Sequence, residues 1–245
     1  MQHRFSGDIG DYGKYGLLRV LGTPPLILAV IWYLVDSPNT PPSARTTRYL
    51  SNPAWFRPCD PPLFDALNRL VGNSDRSIYH IQSAEILPPG TIYYQQYLPS
   101  SGGSSLLKER RVAWLEDALA TTAPCDLVFL DPDNGIAPSG LTQGSRKGYA
   151  YVFPKEIPPF LARGQSLIIY HHLSRRWNAA SQISLLFKRL SDLTDSPPFA
   201  LRFHRGGSRI FIILPSVAHR SLLENRAEHL VHRSPWAEHF TLVRE

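Results

Sequence analysis

A polar turn with two carboxylates is the sharpest chemical feature of this sequence. Residues 131–135 (DPDNG) directly follow residues 126–130 (DLVFL), which have the composition of a buried strand. Ligands of open α/β sheets bind outside the carboxyl ends of the strands, so this is a favoured place for reactive groups. The alternative is a structural Asp-Pro turn closed by an Asn-Gly bend. The candidate catalytic residues in this turn are Asp131, Pro132, Asp133 and Asn134.

A second segment with chemical potential lies at residues 7–16 (GDIGDYGKYG), where glycine recurs at every third position. Glycine has no side chain, so four of them would let the backbone approach a ligand closely. The alternative is that Asp8 or Asp11 simply caps the first helix.

Two adjacent histidines end another apolar run, residues 165–170 (QSLIIY). Neighbouring side chains on a strand point to opposite faces, so at most one of His171 and His172 faces a given site. His171 is the candidate catalytic residue of this pair, and a structural, hydrogen-bonded histidine is the alternative.

Two basic segments have residue types that bind phosphate. Residues 204–209 (HRGGSR) form a turn with two guanidiniums, whose planar forks match phosphate oxygens. Residues 146–151 (RKGYAY) interleave basic and aromatic side chains, which can grip a nucleic-acid backbone and stack a base. A solvated loop is the alternative for the second segment. The candidate nucleic-acid-binding residues are Arg146, Lys147, Tyr149, Arg175, Arg205 and Arg209.

The composition limits the classes of protein to be considered. The chain has 245 residues and a formal net charge of +6, with most of the positive charge on arginine. An arginine-rich, basic chain favours DNA or RNA as a partner. The two cysteines are far apart and are expected to be reduced, as in the cytoplasm. The longest apolar run, residues 26–35, is too short for the roughly 20 residues that cross a bilayer, so we expect no membrane association.

Buried strands alternate with helices along the chain. Apolar runs predict strands over residues 26–35, 77–81, 126–130, 165–170 and 209–214, and periodic patterns predict helices over residues 11–21, 61–71, 106–120, 177–193 and 217–229. This alternation predicts an α/β fold with a Rossmann-like, doubly wound and mostly parallel sheet. We expect one domain over residues 1–245, with a mobile insertion near residues 99–106.

Three collinear segments resemble class I S-adenosylmethionine-dependent methyltransferases, and most of all the ribosomal-RNA adenine-N6 methyltransferases that carry an Asp-Pro-Pro-Tyr motif. Residues 7–15 are similar to that family's Gly-Asn-x-x-Asp-x-x-Lys-His segment, and residues 131–134 to its catalytic motif. Residues 207–215 are similar to its Gly-Ser-Gly turn, apolar strand and proline. Two features depart from the family: residues 31–36 (IWYLVD) lack its glycine-rich motif, and Asn134 replaces its stacking aromatic residue.

The resemblance implies a methyltransferase-like fold and transfer of a methyl group from S-adenosylmethionine to a nucleobase amine. Asp131 would accept a hydrogen bond from the amine, and Pro132 or Asn134 would orient it. Tyr149, Tyr151 or Phe153 would stack on the base in place of the missing aromatic residue. The implied cofactor-binding residues are Gly7, Asp8, Asp11, Lys14 and Tyr15.

Two other functions stay open. Asp133 adds a carboxylate that amine methylation does not need. Together with Asp131 and either Glu156 or His171, it could bind Mg²⁺ or Mn²⁺ and activate water against a phosphodiester. The chain would then be a metal-dependent nuclease or hydrolase. A methyltransferase-like binding module without catalysis is the remaining alternative.

Overall fold

The computed structural model describes residues 6–35, 44–73 and 76–244, which form a central β-sheet with helices on both faces. The strands are β1 (Leu28–Trp32), β2 (Ile92–Tyr94), β3 (Leu127–Asp131), β4 (Gly135–Ile136), β5 (Tyr151–Val152), β6 (Ser166–His172), β7 (Phe199–Phe203), β8 (Arg209–Leu214) and β9 (Phe240–Val243). The α-helices are α1 (Ile9–Leu21), α2 (Pro53–Phe56), α3 (Pro61–Gly72), α4 (Ile78–Ser83), α5 (Ser104–Thr121), α6 (Pro158–Leu161), α7 (Ala179–Ser191) and α8 (Arg220–His232). Short 3-10 helices occupy Ala44–Ser51, Arg57–Cys59, Gly148–Ala150 and Pro154–Glu156.

The main sheet has seven strands in the order β2-β1-β3-β6-β8-β7-β9. Strands β2, β1, β3 and β6 are parallel neighbours, while β8 runs antiparallel to both β6 and β7. Strand β9 is antiparallel to β7. Five of the seven strands therefore run in one direction. This arrangement confirms the predicted α/β class with a Rossmann-like, mostly parallel sheet.

Both faces of the sheet are buried, which explains why its strands are continuous apolar runs rather than alternating ones. On β1, Val30 belongs to the core under α1, α3, α4 and α8, whereas its neighbour Ile31 belongs to the core under α5, α6 and α7. The two cores together fix the sheet between two layers of helices.

Several elements differ from the sequence-based expectation. Residues 77–81, predicted as a strand, form α4 instead, because the Ser77 side chain accepts a hydrogen bond from the Tyr79 amide and caps a helix. Strands β2, β4, β5, β7 and β9 were not predicted. Helix α5 begins at Ser104, within the expected insertion near residues 99–106, whose mobility stays a prediction.

Two expectations about the environment of the protein can be compared with the fold. Within the described ranges, no helix has the length and apolar character needed to cross a bilayer. Cys59 and Cys125 are both free thiols. The cytoplasmic location stays a prediction.

Candidate functional site

The sheet has a switch point between β1 and β3. From β1 the chain moves to β2 on one side of the sheet, and β3 then pairs with β1 on the other side. Ligands of doubly wound sheets bind in the crevice outside the carboxyl ends of the strands at such a point. The last residue of β3, Asp131, lies there, paired in register with Trp32 at the end of β1.

A cavity of about 500 Å³ opens at this edge of the sheet. Its wall is formed by the first turns of α1, the turn after β3 and the 3-10 segment at residues 148–150. The carboxyl end of β6 and the start of β8 complete it. The lining residues are Asp8, Gly10, Asp11, Lys14, Asp131, Pro132, Asp133, Asn134, Lys147, Tyr149, Ala150, Tyr170, His172 and Arg209. The two segments that the sequence singled out first, residues 7–16 and 131–135, therefore meet in one place.

Lys14 joins these two segments at the floor of the cavity. Its Nζ lies 2.8 Å from Oδ1 of Asp11 and 2.8 Å from Oδ2 of Asp131, and the three side chains are almost completely buried. Burial by itself lowers the pKa of Lys14, but the two carboxylates raise it above its usual value. Burial raises the pKa of Asp131, and the Lys14 ammonium opposes that shift. Lys14 is thus a charged counter-ion held by two acids.

Asp8 sits where α1 begins and also lines the cavity. Its Oδ1 accepts a hydrogen bond from the Asp11 amide at 2.9 Å, as an N-cap residue does. Burial and the neighbouring Asp11 raise the pKa of Asp8 to about 6. Asp11 in turn accepts a hydrogen bond from the Gly7 amide at 2.9 Å. Asp8 therefore caps α1 and also faces the cavity.

The two histidines at the end of β6 point to different surroundings, as the strand geometry predicts. His172 lines the cavity, and its Nε2 is 2.8 Å from the Tyr170 hydroxyl. His171 instead accepts a hydrogen bond from the Ile136 amide at its Nδ1, at 3.0 Å, and does not line the cavity. Burial lowers the pKa of both imidazoles to about 4, so both are neutral at pH 7. His172, rather than the candidate His171, belongs to the site.

The structure separates some of the candidates from the cavity lining. Gly7 packs against Leu70 and Val71, and Tyr15 is buried with its ring edge-on to Trp32. Arg205 donates a hydrogen bond to Nδ1 of His239. Arg146 and Arg175 are exposed on the surface.

Glu156, the alternative metal ligand, is occupied elsewhere. Arg111 donates to it from Nε at 2.6 Å and from Nη2 at 2.9 Å, and Gln143 also donates a hydrogen bond to it. In the part of the chain that the structure describes, no group of three or more His, Cys, Asp or Glu side chains could hold a metal ion.

Sequence reasoning missed several residues of the site. Gly10, Ala150, Tyr170 and His172 line the cavity without having been chosen as candidates. The alternation of side chains along a strand could have indicated Tyr170 and His172 together, because residues two apart on β6 lie on the same face of the sheet. Arg111 gave no such signal, because an arginine in an amphipathic helix usually faces water.

Comparisons with known proteins add little to this geometry. No model of a known protein family matches the sequence, and no curated protein matches it. Among solved structures, the crystal structure of protein LPL1258 from Legionella pneumophila str. Philadelphia 1, described with the family model DUF519, is 14% identical. The match covers 98% of this chain and 97% of that one, with a TM-score of 0.46.

Proposed function

We propose that this protein transfers a methyl group from S-adenosylmethionine to a nucleobase amine of a nucleic acid. The observation that carries the proposal is the contact between Lys14 and Asp131, at 2.8 Å. It joins the N-terminal segment and the DPDN turn, the two segments that resemble cofactor-binding and catalytic motifs, at the switch point of the sheet.

The cavity lining carries acidic and basic side chains, and its acids fit the cationic groups of the proposed cofactor. S-Adenosylmethionine carries a sulfonium and an ammonium group, and the lining contains the carboxylates of Asp8, Asp11, Asp131 and Asp133. Aromatic faces attract such cations, and Tyr149 and Tyr170 line the same cavity. A volume of about 500 Å³ is also within the usual range for a small-molecule site. Asp8 and Asp133 are the residues that would hold the cofactor.

The position of the missing glycine-rich motif is filled by side chains. Trp32, Tyr33 and Leu34 follow one another at the carboxyl end of β1, and all three are buried. The cofactor would therefore lie on the Asp131 side of the crevice rather than against the backbone after β1.

The chemistry asked of the protein is mainly positioning. When bound, the cofactor supplies an electrophilic methyl group. Asp131 accepts a hydrogen bond from the substrate amine, and Lys14 fixes the orientation of its carboxylate. Asn134 lies in the same turn and orients the amine with a second polar contact. Holding the two reactants in line can by itself contribute about 7–11 kcal/mol to lowering the barrier.

Exposed basic and aromatic side chains near the cavity support nucleic acid as the substrate class. Arg146 and Lys147 are exposed on the segment that also carries Tyr149. Arg175 and Arg176 are exposed on the loop that leaves β6, followed by Trp177 with 73% of its surface accessible. Cations and a free aromatic face together are typical of surfaces that bind single strands.

The test measures cofactor binding and methyl transfer separately. Calorimetry with S-adenosylmethionine is expected to show binding that Asp133→Asn weakens about 10-fold or more, because a charge-assisted contact contributes about 1.5–3 kcal/mol. Asp195→Asn, which removes an exposed carboxylate outside the cavity, is the matched control and should bind as the wild type does.

Methyl transfer is then followed with labelled cofactor on bulk RNA and DNA. Asp131→Asn is expected to abolish transfer while cofactor binding persists. Absence of binding at millimolar cofactor would refute the proposal. Binding without transfer to either nucleic acid would favour the non-catalytic module instead.

A further inference from the structure

Among the described residues, Arg209 is a buried cation of the cavity that forms no ion pair. Arg209 begins β8, is 6% exposed and lines the cavity. Its Nε has no hydrogen-bond partner, and within the described ranges no carboxylate lies within ion-pair distance of the guanidinium. A buried charge without a paired counter-charge is costly, and an unsatisfied buried polar atom can mark a catalytic role or the place of a bound ion.

The guanidinium lies directly on the first turn of α1. A methyl group in place of the Gly10 hydrogen would lie 1.8 Å from Nη1 of Arg209, so only glycine leaves room for this approach. Helix α1 has 13 residues, and its N-terminal turn carries a partial positive charge. Arg209 therefore lies beside the positive end of α1, where the Asp8 side chain caps the Asp11 amide.

None of the described acids of the cavity forms an ion pair with Arg209. Lys14 offsets Asp11 and Asp131 through direct contacts. Asp8 lies beside Gly10, as Arg209 does; burial raises its pKa to about 6, so it is mostly ionised at pH 7 and offsets Arg209 only at longer range, without an ion pair. On the opposite rim, the exposed Lys147 adds a further cation.

We infer that Arg209 and the first turn of α1 bind a phosphate group of the substrate. The planar fork of a guanidinium binds two oxygens of a phosphate at once, and a helix N-terminus favours the same anion. The phosphate could belong to a free nucleotide or to a nucleic-acid backbone, and the chemistry at Arg209 is the same for both. This inference deepens the proposed function, since it names the group that anchors the nucleotide next to Asp131.

The experiment titrates the full chain with inorganic phosphate, a nucleoside 5′-monophosphate and a short oligonucleotide. Arg209→Gln is expected to weaken phosphate binding about 10-fold or more, and Arg209→Lys by less, because lysine keeps the charge but loses the fork. Arg202→Gln is the matched control, since Arg202 lies on the neighbouring strand outside the cavity lining. Tighter binding of the monophosphate than of the oligonucleotide would identify a free nucleotide as the source, and the reverse order would identify a strand.

Gly10→Ala provides a second test if Arg209→Gln does not fold. The added methyl group pushes the guanidinium from its place without changing any charge, so phosphate binding should fall while the circular dichroism spectrum is retained. Unchanged phosphate affinity in a folded Gly10→Ala or Arg209→Gln variant would overturn the inference. Equal binding of acetate would overturn the assignment to phosphate.

Titration of the wild type with S-adenosylmethionine separates the two proposals. Phosphate binding without cofactor binding would leave the phosphate site standing and remove the methyltransferase. Cofactor binding without phosphate binding would do the opposite.

Discussion

Lys14 connects the two segments of the candidate site through a buried group of charges. The resemblance implies that Lys14 contacts the cofactor, which stays a prediction, and in the structure its ammonium is bound to Asp11 and Asp131. Removing one member of such a buried group would leave an uncompensated charge, which typically costs about 3–5 kcal/mol. Lys14 therefore positions the Asp131 carboxylate, and its substitution would affect stability as well as function.

Asp8 gives a prediction about pH. Its pKa is raised from 3.8 to about 6, so the fold favours the protonated acid. The stability that comes from this preference is present below about pH 4 and is lost as the pH rises through about 6. Asp8→Asn stays neutral and can still cap α1, since asparagine caps helices as well as aspartate does. We expect Asp8→Asn to be more stable than the wild type by about 3 kcal/mol at pH 8 and equally stable below pH 4. Urea unfolding between pH 4 and pH 8 measures this, and coincident curves at pH 8 would contradict it.

At the scale of elements, the spaced glycines of α1 serve close packing more than ligand approach. Gly10, Gly13 and Gly16 lie three residues apart and share one face of the helix. A Cβ at Gly13 would lie 2.7 Å from the Phe203 ring, and one at Gly16 would lie 2.2 Å from the Trp236 ring. Only Gly10 has a neighbour in the cavity, the Arg209 guanidinium.

This packing predicts opposite effects for two glycine substitutions. Gly16→Ala is expected to destabilise the protein by about 1–3 kcal/mol, because the Trp236 ring must move in a close-packed core. Gly72→Ala is the matched control: it lies at the end of α3 with no atom within 4 Å of the new methyl group. We expect it to stabilise the helix by about 0.5–1 kcal/mol. Thermal or urea unfolding of both variants is the measurement, and equal stabilities would show that the helix face is not packed in this way.

A buried ion pair holds the basic and aromatic segment next to the cavity. Arg111 on α5 donates to the backbone carbonyls of Gly148 and Tyr151, at 3.0 and 2.6 Å, in addition to its pair with Glu156. The segment between them carries Tyr149, which lines the cavity. Helix α5 thus fixes the position of residues that the sequence places only in a loop.

At the scale of the whole molecule, the sheet order brings the site together from distant parts of the chain. Strand β6 reaches the same edge as β3, and β8 pairs with β6 in the antiparallel direction, so Arg209 at the start of β8 meets the end of β6. Residues from positions 8 to 209 therefore share one cavity. The loop after β6 extends this edge outward with Arg175, Arg176 and Trp177.

Trp177 provides a test of the proposed nucleic-acid surface. Gln182 holds its loop by donating hydrogen bonds to the carbonyls of Ser174 and Trp177, both at 3.0 Å, so the exposed ring stands on an ordered turn. Trp177→Ala is expected to weaken single-strand binding by about 1–3 kcal/mol, the usual contribution of one stacked base. Tyr97→Ala is the matched control, because Tyr97 is 48% exposed and lies outside the cavity lining. Fluorescence titration with oligonucleotides at two salt concentrations measures both variants, and equal losses would show that the Trp177 surface is not special.

The sequence by itself determined the class of the fold and the two segments that form the candidate site, residues 7–16 and 131–135. Apolar runs such as residues 126–130 and 165–170 were sufficient, because a strand buried on both faces leaves a local signature in composition. The DPDN turn and the acids of α1 were also visible, because their residue types are unusual at the end of a strand and the start of a helix.

Only the tertiary structure decided which candidates meet. It brought Asp8, Lys14 and Arg209 into one cavity with Asp131, exchanged His171 for His172, and removed Glu156 by pairing it with Arg111. Contacts between residues more than a hundred positions apart, such as Lys14 with Asp131, depend on strand order and register. Strand order is set by the packing of whole helices and strands on both faces of the sheet, and short segments of sequence carry no record of it.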